Sequence, residues 1–174
     1  MNIFTTDKCA ELCAYALPNI LVNKMIIESA QLLCTAHHEL GSVKEGLYKP
    51  THKNHPSAIW ARSSKGNYQW LYKHFKALGE VYELRSGKVH KTIEKLLDTL
   101  VEAPRTIPDS GVTRFTKCMP DSIKNKYVDP CDAYKVYMNV KYKEWQGREK
   151  PIKLEWTLDI PSWVCEDIVS KIVK

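Results

Sequence analysis

The sequence predicts a mainly α-helical protein, a single compact multi-helix domain over residues 1–174 with a long central loop and little or no strand. Apolar residues recur at helical spacing along most of the chain, and prolines and glycines stand where the helices would begin and end. Only the segment IKLEWTL, residues 152–158, alternates as a strand would. A chain of 174 residues can bury a core without disulfides or a structural metal.

Five helices are predicted in the first part of the chain. Pro18 ends the first, Gly41 stops the second, Pro56 takes the favoured first position of the third, and Asn67 supplies the N-cap of the fourth. The string RSGK then breaks the fourth helix before a weaker amphipathic one. In chain order they are Asp7–Leu17, Asn19–Leu40, a short helix opened by His55 and Pro56, Asn67–Leu84 and 90–102.

The second part of the chain has a different organisation. Residues 103–120 contain three prolines and a glycine, which predicts a long loop crossing the surface. A helix follows, with Asp129 as its cap and Pro130 in its first turn. The tail predicts a short terminal helix that starts at Pro161.

The cysteines and the N-terminal sequence bear on the compartment. The six cysteines are scattered and form no Cys-x-x-Cys pair, so we expect six reduced, mostly buried thiols. The first residues lack the features of a secretory signal, and no apolar run approaches the length that spans a bilayer. These observations predict a cytoplasmic protein without a membrane partner.

Positive charge is concentrated in one segment. The segment from Lys44 to Lys95 contains eleven Lys and Arg residues and four Asp and Glu residues. Its net charge therefore exceeds the net charge of the whole chain, which is +6. All six histidines lie between His37 and His90. Such a concentration favours a phosphate-bearing partner, either nucleic acid or nucleotide, although a solvated helix face explains many lysine runs.

The second helix carries a narrow polar stripe on an otherwise apolar surface. At 100° per residue, the stripe is about 80° wide. A helix that is apolar over most of its circumference is normally buried. The stripe therefore faces either a thin strip of solvent or an internal cavity shared with the 51–62 segment. Its members are Lys24, Glu28, Gln31, Thr35 and His38.

A second group of polar and aromatic residues follows the stripe in sequence. Histidines can carry protons near neutral pH, lysine and arginine hold phosphates, and aromatic faces stack on bases, although each His or Trp could instead serve as a cap or in the core. His52-x-x-His55 has metal-ligand spacing but lacks an accompanying carboxylate or cysteine, and no phosphate-loop or dinucleotide motif occurs, so we expect neither metal nor cofactor. With Gln31, Thr35 and His38, the candidate ligand-binding residues are His52, Lys53, Asn54, His55, Trp60, Arg62, Asn67, Trp70 and His74.

Several strings together resemble a known family. YKPTHKNHP, WARSSKGNYQWL and GKVHK, with KMIIESAQLL upstream, are similar to a family of small bacteriophage proteins over roughly residues 1–156. That family distantly resembles the pyrimidine-dimer DNA glycosylases, compact helical proteins with an Asn-His-Pro-like turn and an aromatic C-terminal part. The resemblance implies a viral protein that acts on DNA or nucleotides.

The resemblance also implies roles for individual residues. In those glycosylases the α-amino group attacks the sugar C1′, and a carboxylate on a nearby helix supports the ring-opened intermediate. Glu28 is the carboxylate candidate here. Because Asn2 follows Met1, we expect the initiator methionine to stay, and Lys24 becomes a second candidate amine if burial lowers its pKa.

Two functions from different classes follow from these observations. The first is a glycosylase-like enzyme that flips a base and cleaves its glycosidic bond, with Glu28 and Lys24 as catalytic residues. The alternative is a non-catalytic viral module with an anti-defence role, which binds and sequesters a nucleotide such as a host immune signal. Either would act in the cytoplasm of an infected host cell. Whether the chain forms a homo-oligomer stays open.

Overall fold

The structure, a computed structural model, describes residues 1–172 of the chain. Within that range the backbone forms eight α-helices and no strand, which confirms the predicted mainly α class. None of these eight helices combines the length and the apolar character that a membrane crossing requires. The helices are α1 (Ala10–Tyr15), α2 (Asn19–Glu39), α3 (Pro56–Ser63), α4 (Lys65–Ser86), α5 (Lys91–Leu100), α6 (Asp121–Lys124), α7 (Pro130–Gln146) and α8 (Glu166–Ile172).

Helix α2 occupies the centre of the fold. It packs against α3, α4 and α5, while α1 packs on α4, and α7 contacts α6 and α8. Twelve of the 21 residues of α2 are buried, as its nearly all-round apolar surface predicts. The N-terminal segment, residues 1–9, runs into the same core without helical structure, and its Ile3 and Phe4 are buried.

The long loop 103–120, called the strap below, crosses the beginning of α4. Lys65 and Gly66 donate their backbone N–H groups to the carbonyls of Pro108 and Ser110, both at 2.9 Å. The Ser64 hydroxyl accepts from the N–H of Asn67 at 3.0 Å and donates to the carbonyl of Gly111 at 2.9 Å. The strap thus satisfies helix N–H groups that have no partner within the helix.

The predicted N-cap of α4 is wrong by three residues. Ser64 caps the helix, and Asn67 lies inside its first turn. The Asn67 amide is fully used in holding the strap and α3: its oxygen accepts from Thr113 N at 2.7 Å, and its nitrogen donates to the Trp60 carbonyl and the Thr113 hydroxyl, each at 2.8 Å. Asn67 is a cap-type residue by composition, but a nearer serine takes that position.

Other helix bounds also differ from the prediction. Helix α1 begins at Ala10 because the Asp7 carboxylate accepts from Cys9 N at 2.8 Å and holds a turn there. The terminal helix begins at Glu166 instead of Pro161. Helix α6, which follows Pro120, has no counterpart in the sequence prediction.

The alternating segment IKLEWTL forms no strand. Its backbone bonds go to helix ends: Ile152 N donates to the Trp145 carbonyl at 3.1 Å, and the Glu155 carbonyl accepts from Asn19 N at 2.7 Å. An extended segment becomes a strand only when it pairs with another extended segment, and residues 1–172 contain no such pairing.

All six cysteines are free thiols, as the sequence predicts. Cys13, Cys34 and Cys131 are buried, and the other three are partly buried. Burial raises the pKa of Cys13 to about 12 and that of Cys131 to about 11, so both thiols stay protonated at neutral pH.

Candidate functional site

A cavity of about 490 Å³ lies where the N-terminal segment, α2, the start of α3, the end of the strap and α7 meet. It brings Lys24 and Glu28 of the polar stripe together with His55 and Pro56. The polar pattern of α2 predicts that Lys24 and Glu28 share a cavity with the 51–62 segment. The remaining wall comes from the N-terminal segment, α2, the strap, α6 and α7. Its residues are Met1, Asn2, Phe4, Met25, Lys117, Cys118, Met119, Lys124, Tyr137 and Lys141.

The Glu28 carboxylate receives three groups inside this cavity. Its Oε2 lies 3.8 Å from the α-amino nitrogen of Met1 and accepts from the backbone N–H of Asn2 at 3.0 Å. Its Oε1 lies 3.7 Å from Lys24 Nζ, one helical turn away. The Glu28 side chain is 14% exposed and that of Met1 is 2% exposed, so the pair is largely screened from solvent. An amine and a carboxylate therefore stand side by side at the end of the cavity formed by the N-terminus.

Cationic groups dominate the rest of the lining. Four lysines, Lys24, Lys117, Lys124 and Lys141, surround the cavity, whereas Glu28 is the one carboxylate among its lining residues in the range 1–172. Lys117 Nζ donates to the carbonyls of Lys124 and Tyr127, at 2.6 and 2.8 Å. Lys141 Nζ lies 5.2 Å from the centre of the Tyr137 ring. This excess of positive charge suits an anionic ligand.

Two of the remaining stripe residues, Thr35 and His38, contact the 48–51 segment. The hydroxyl of Thr35 donates to the Gln31 carbonyl at 2.7 Å and accepts from Thr51 N at 3.1 Å. His38 Nε2 donates to the Tyr48 carbonyl at 3.0 Å. Thr35 and His38 thus fasten the 48–51 segment to α2, and the side chain of Gln31, which is half-buried, does not line the cavity. The predicted single cavity for the whole stripe is therefore wrong beyond Glu28.

Lys24 does not meet the condition for its proposed chemical role. Its side chain is 64% exposed, so the burial that would make its amine a nucleophile is absent. Lys24 remains beside the cavity as a cation paired with Glu28.

The loop 52–55 leads into the cavity. His52, Lys53 and Asn54 are exposed, and His52 has a left-handed backbone with φ of 49°. Arg62 Nη1 donates to the Lys53 carbonyl at 2.8 Å, which ties the loop to α3. His55 lines the cavity and caps α3, since its Nδ1 accepts from Ser57 N at 3.1 Å. Burial, followed by the nearby α-amino group, lowers the pKa of His55.

Four predicted ligand-binding residues lie in the core and away from this cavity. Trp60, Asn67, Trp70 and His74 are each at most 6% exposed. Trp70 Nε1 donates to the Lys8 carbonyl at 2.7 Å, and the Trp70 ring stacks on His74 with centroids 5.5 Å apart. Trp70 also borders a separate groove of about 610 Å³. A base cannot stack on their buried faces without rearrangement of the core.

His74 gives the fold a dependence on pH. Its Nδ1 donates to the Ala10 carbonyl at 3.0 Å, and burial lowers the pKa of its imidazole to about 4. The unfolded chain takes up this proton near pH 6.5, so the stabilisation is complete above pH 6.5 and lost as pH falls towards 4. Between pH 7 and 4.5 the unfolding free energy of the wild type should therefore fall by about 2 to 3 kcal/mol more than that of His74→Asn, as measured by urea denaturation. The exposed His52→Asn should retain the wild-type pH slope, and an unchanged slope in His74→Asn would contradict the assignment.

Part of the site could not be found from the sequence. Lys117, Lys124 and Lys141 reach the cavity from the strap, α6 and α7, and nothing in their local pattern distinguishes them from surface lysines. The sequence also does not indicate that the backbone N–H of Asn2 binds Glu28.

No site for a metal ion is formed by groups of three or more His, Cys, Asp or Glu side chains in residues 1–172. Comparisons of the chain with protein-family models, with curated proteins and with solved structures give no match.

Proposed function

We propose that the cavity binds a phosphate-bearing nucleotide or a nucleotide of DNA, and that the α-amino group of Met1 cleaves the glycosidic bond with the help of Glu28. The observation that carries this proposal is the amine 3.8 Å from the Glu28 carboxylate, inside a cavity with four lysines. An α-amino group loses its proton at a lower pH than a lysine side chain, which suits it to act as a nucleophile.

The proposed reaction is an exchange of bonds at C1′. The amine nitrogen bonds to C1′ while the bond from C1′ to the base nitrogen breaks, and the base leaves with that electron pair and takes a proton. The nitrogen lone pair then expels O4′, which is protonated as the sugar ring opens, and leaves an imine. Water hydrolyses the imine, which returns the amine and releases an abasic sugar.

Glu28 contributes charge where the reaction needs it. Positive charge develops on the sugar as the base departs, and a carboxylate fixed beside the attacking nitrogen stabilises that charge. The lysines lie where they can hold the phosphates of the same nucleotide. In this arrangement the phosphates would contact the lysines and the sugar would face Glu28.

A non-catalytic binding module is the second candidate. It is favoured by the four lysines, which would hold a phosphate without any chemistry, and by the burial of the aromatic residues expected to grip a flipped base. Under this proposal the protein sequesters a nucleotide, such as a host immune signal. In both cases we propose, from the family resemblance, that it acts in the cytoplasm of a phage-infected cell.

Trapping of the imine tests the catalytic proposal. With abasic-site or ultraviolet-treated DNA and borohydride, we expect a covalent complex, and mass spectrometry of its peptides should find the DNA remnant on Met1. A variant with two residues added before Met1 displaces the amine and should give no complex, whereas Lys76→Ala, which alters an exposed lysine of α4, should trap as the wild type does.

Calorimetry with mononucleotides and short DNA distinguishes the second candidate. Binding without trapping would favour sequestration, and Lys141→Ala should then weaken the affinity about tenfold. The absence of trapping and of all nucleotide binding would overturn both candidates.

A further inference from the structure

We propose that Asn2 and Tyr134 are positioning residues, which form a clamp that holds the α-amino group of Met1 against Glu28. This inference rests on the proposed glycosidic cleavage, because it concerns the placement of that reaction's amine. The clamp consists of the Asn2 side chain, the Tyr134 hydroxyl and the backbone of Cys118.

Every polar group of the Asn2 side chain has a partner. Its Nδ2 donates to the Cys118 carbonyl at 2.8 Å. Its Oδ1 accepts from the Tyr134 hydroxyl and from the backbone N–H of Ile3, both at 2.8 Å. The Asn2 N–H meanwhile donates to Glu28 at 3.0 Å. Residue 2 is thereby fixed to α2, the strap and α7.

Tyr134 joins the clamp from the buried side of α7. Its residue is 0% exposed, and its hydroxyl also accepts from Cys118 N at 3.0 Å. The ring packs edge-on against Phe4, with centroids 6.2 Å apart. The hydroxyl has one proton to donate, and Asn2 Oδ1 at 2.8 Å is the nearer of its two acceptors, the other being the Thr116 carbonyl at 3.1 Å. One hydroxyl therefore holds both the strap and the N-terminal segment in place.

A reactive amine at a chain terminus needs such a device. Terminal residues are usually poorly ordered unless they are tied down. An attacking atom must also lie within a narrow range of distance and direction, and a misplacement of about 1 Å can cost about a hundredfold in rate. The hydrophobic contacts of Phe4 anchor the chain three residues away from the amine. The hydrogen bonds of Asn2 fix the backbone directly next to it.

Selective labelling of the α-amino group tests the clamp independently of any enzymatic activity. 2-Pyridinecarboxaldehyde condenses with an α-amino group and closes a ring onto the next amide nitrogen, which here is the Asn2 N–H bound to Glu28. We expect slow labelling of the native wild type and labelling at least about tenfold faster in Tyr134→Phe and in Asn2→Leu. Mass spectrometry verifies that Met1 is retained in each variant.

A matched control lies on the same helix. The Tyr142 hydroxyl is buried and has no hydrogen-bond partner in residues 1–172, so Tyr142→Phe removes an equivalent atom without touching the clamp. Its labelling should equal that of the wild type. Asn2→Leu, at a half-buried residue, provides the test if Tyr134→Phe does not fold.

Imine trapping measured on the same variants separates the two proposals. Faster labelling together with imine trapping at least about tenfold slower, at DNA affinity within about threefold, supports the clamp as a device of the reaction. Faster labelling without trapping in the wild type supports the clamp and overturns the cleavage. A third outcome is that the wild type traps the imine and both variants label and trap at the wild-type rates. This outcome overturns the clamp and leaves the proposed cleavage intact.

Discussion

Glu28→Gln is expected to lower the single-turnover rate of the proposed glycosidic cleavage at least about a hundredfold while it changes ligand affinity by less than about tenfold. The charge on the sugar develops only in the transition state, so loss of the carboxylate charge affects the rate more than binding. Glutamine has the same shape, and its amide oxygen can still accept from the N–H of Asn2, 3.0 Å away in the wild type. Rapid-quench measurement with enzyme in excess of DNA gives the rate, and calorimetry gives the affinity.

Glu39→Gln is the matched control, since Glu39 is exposed on the same helix. It should leave both quantities at their wild-type values. A Glu28→Gln rate within tenfold of the wild type would contradict a role for this carboxylate in the transition state, and equal losses in binding and rate would assign it to ligand binding alone.

Gly66→Ala is expected to destabilise the protein by about 2 kcal/mol, which lowers Tm by about 4 to 8 °C for a chain of this size. A Cβ at residue 66 would lie 2.3 Å from the backbone carbon of Gly111 and 2.4 Å from Val112 N. Alanine has a helix propensity about 1 kcal/mol more favourable than glycine, but an overpacked contact with backbone costs about 3 kcal/mol. The cost arises because neither α4 nor the strap can move away without breaking the hydrogen bonds between them. Thermal unfolding and urea denaturation measure the loss.

Gly111→Ala tests the other side of the same contact. A Cβ there would meet no atom of the described residues within 4 Å, so we expect stability equal to the wild type or slightly above it. The strap leads on to Lys117 and Cys118, so its displacement in Gly66→Ala should also weaken ligand binding at the cavity. Stability within about 0.5 kcal/mol of the wild type would show that the strap moves freely over α4.

The helices that begin at prolines were the most predictable part of the structure. His55 and Pro56, and then Asp129 and Pro130, start α3 and α7 as expected, because the signal lies within two neighbouring residues. Asn67 shows where such signals fail. Its cap-type side chain is taken up by Thr113, 46 residues later, and local sequence does not encode which distant segment arrives.

The candidate site divides in the same way. Lys24 and Glu28 are predictable together because helix periodicity places them one turn apart on α2, and His55 belongs to the 51–62 segment expected beside that stripe. The lysines of the strap and α7 are absent from that prediction, since their approach depends on long-range packing. Trp60, Trp70 and His74 were expected at a ligand surface, but large aromatic side chains contribute most by burial, and the core contains them.

The hydrogen bond between Asn2 and Tyr134 joins residues 132 positions apart, and this separation has a consequence for biosynthesis. The first residues to leave the ribosome are among the last to find their partners, since the strap and α7 must be translated before residue 2 can be fixed. At translation rates of about 5 to 20 residues per second, synthesis of the chain between Asn2 and Tyr134 takes roughly 7 to 26 s. The Asn2 side chain therefore gains its Tyr134 partner only after α7 has been translated, whereas the backbone bond from Asn2 to Glu28 requires α2 alone.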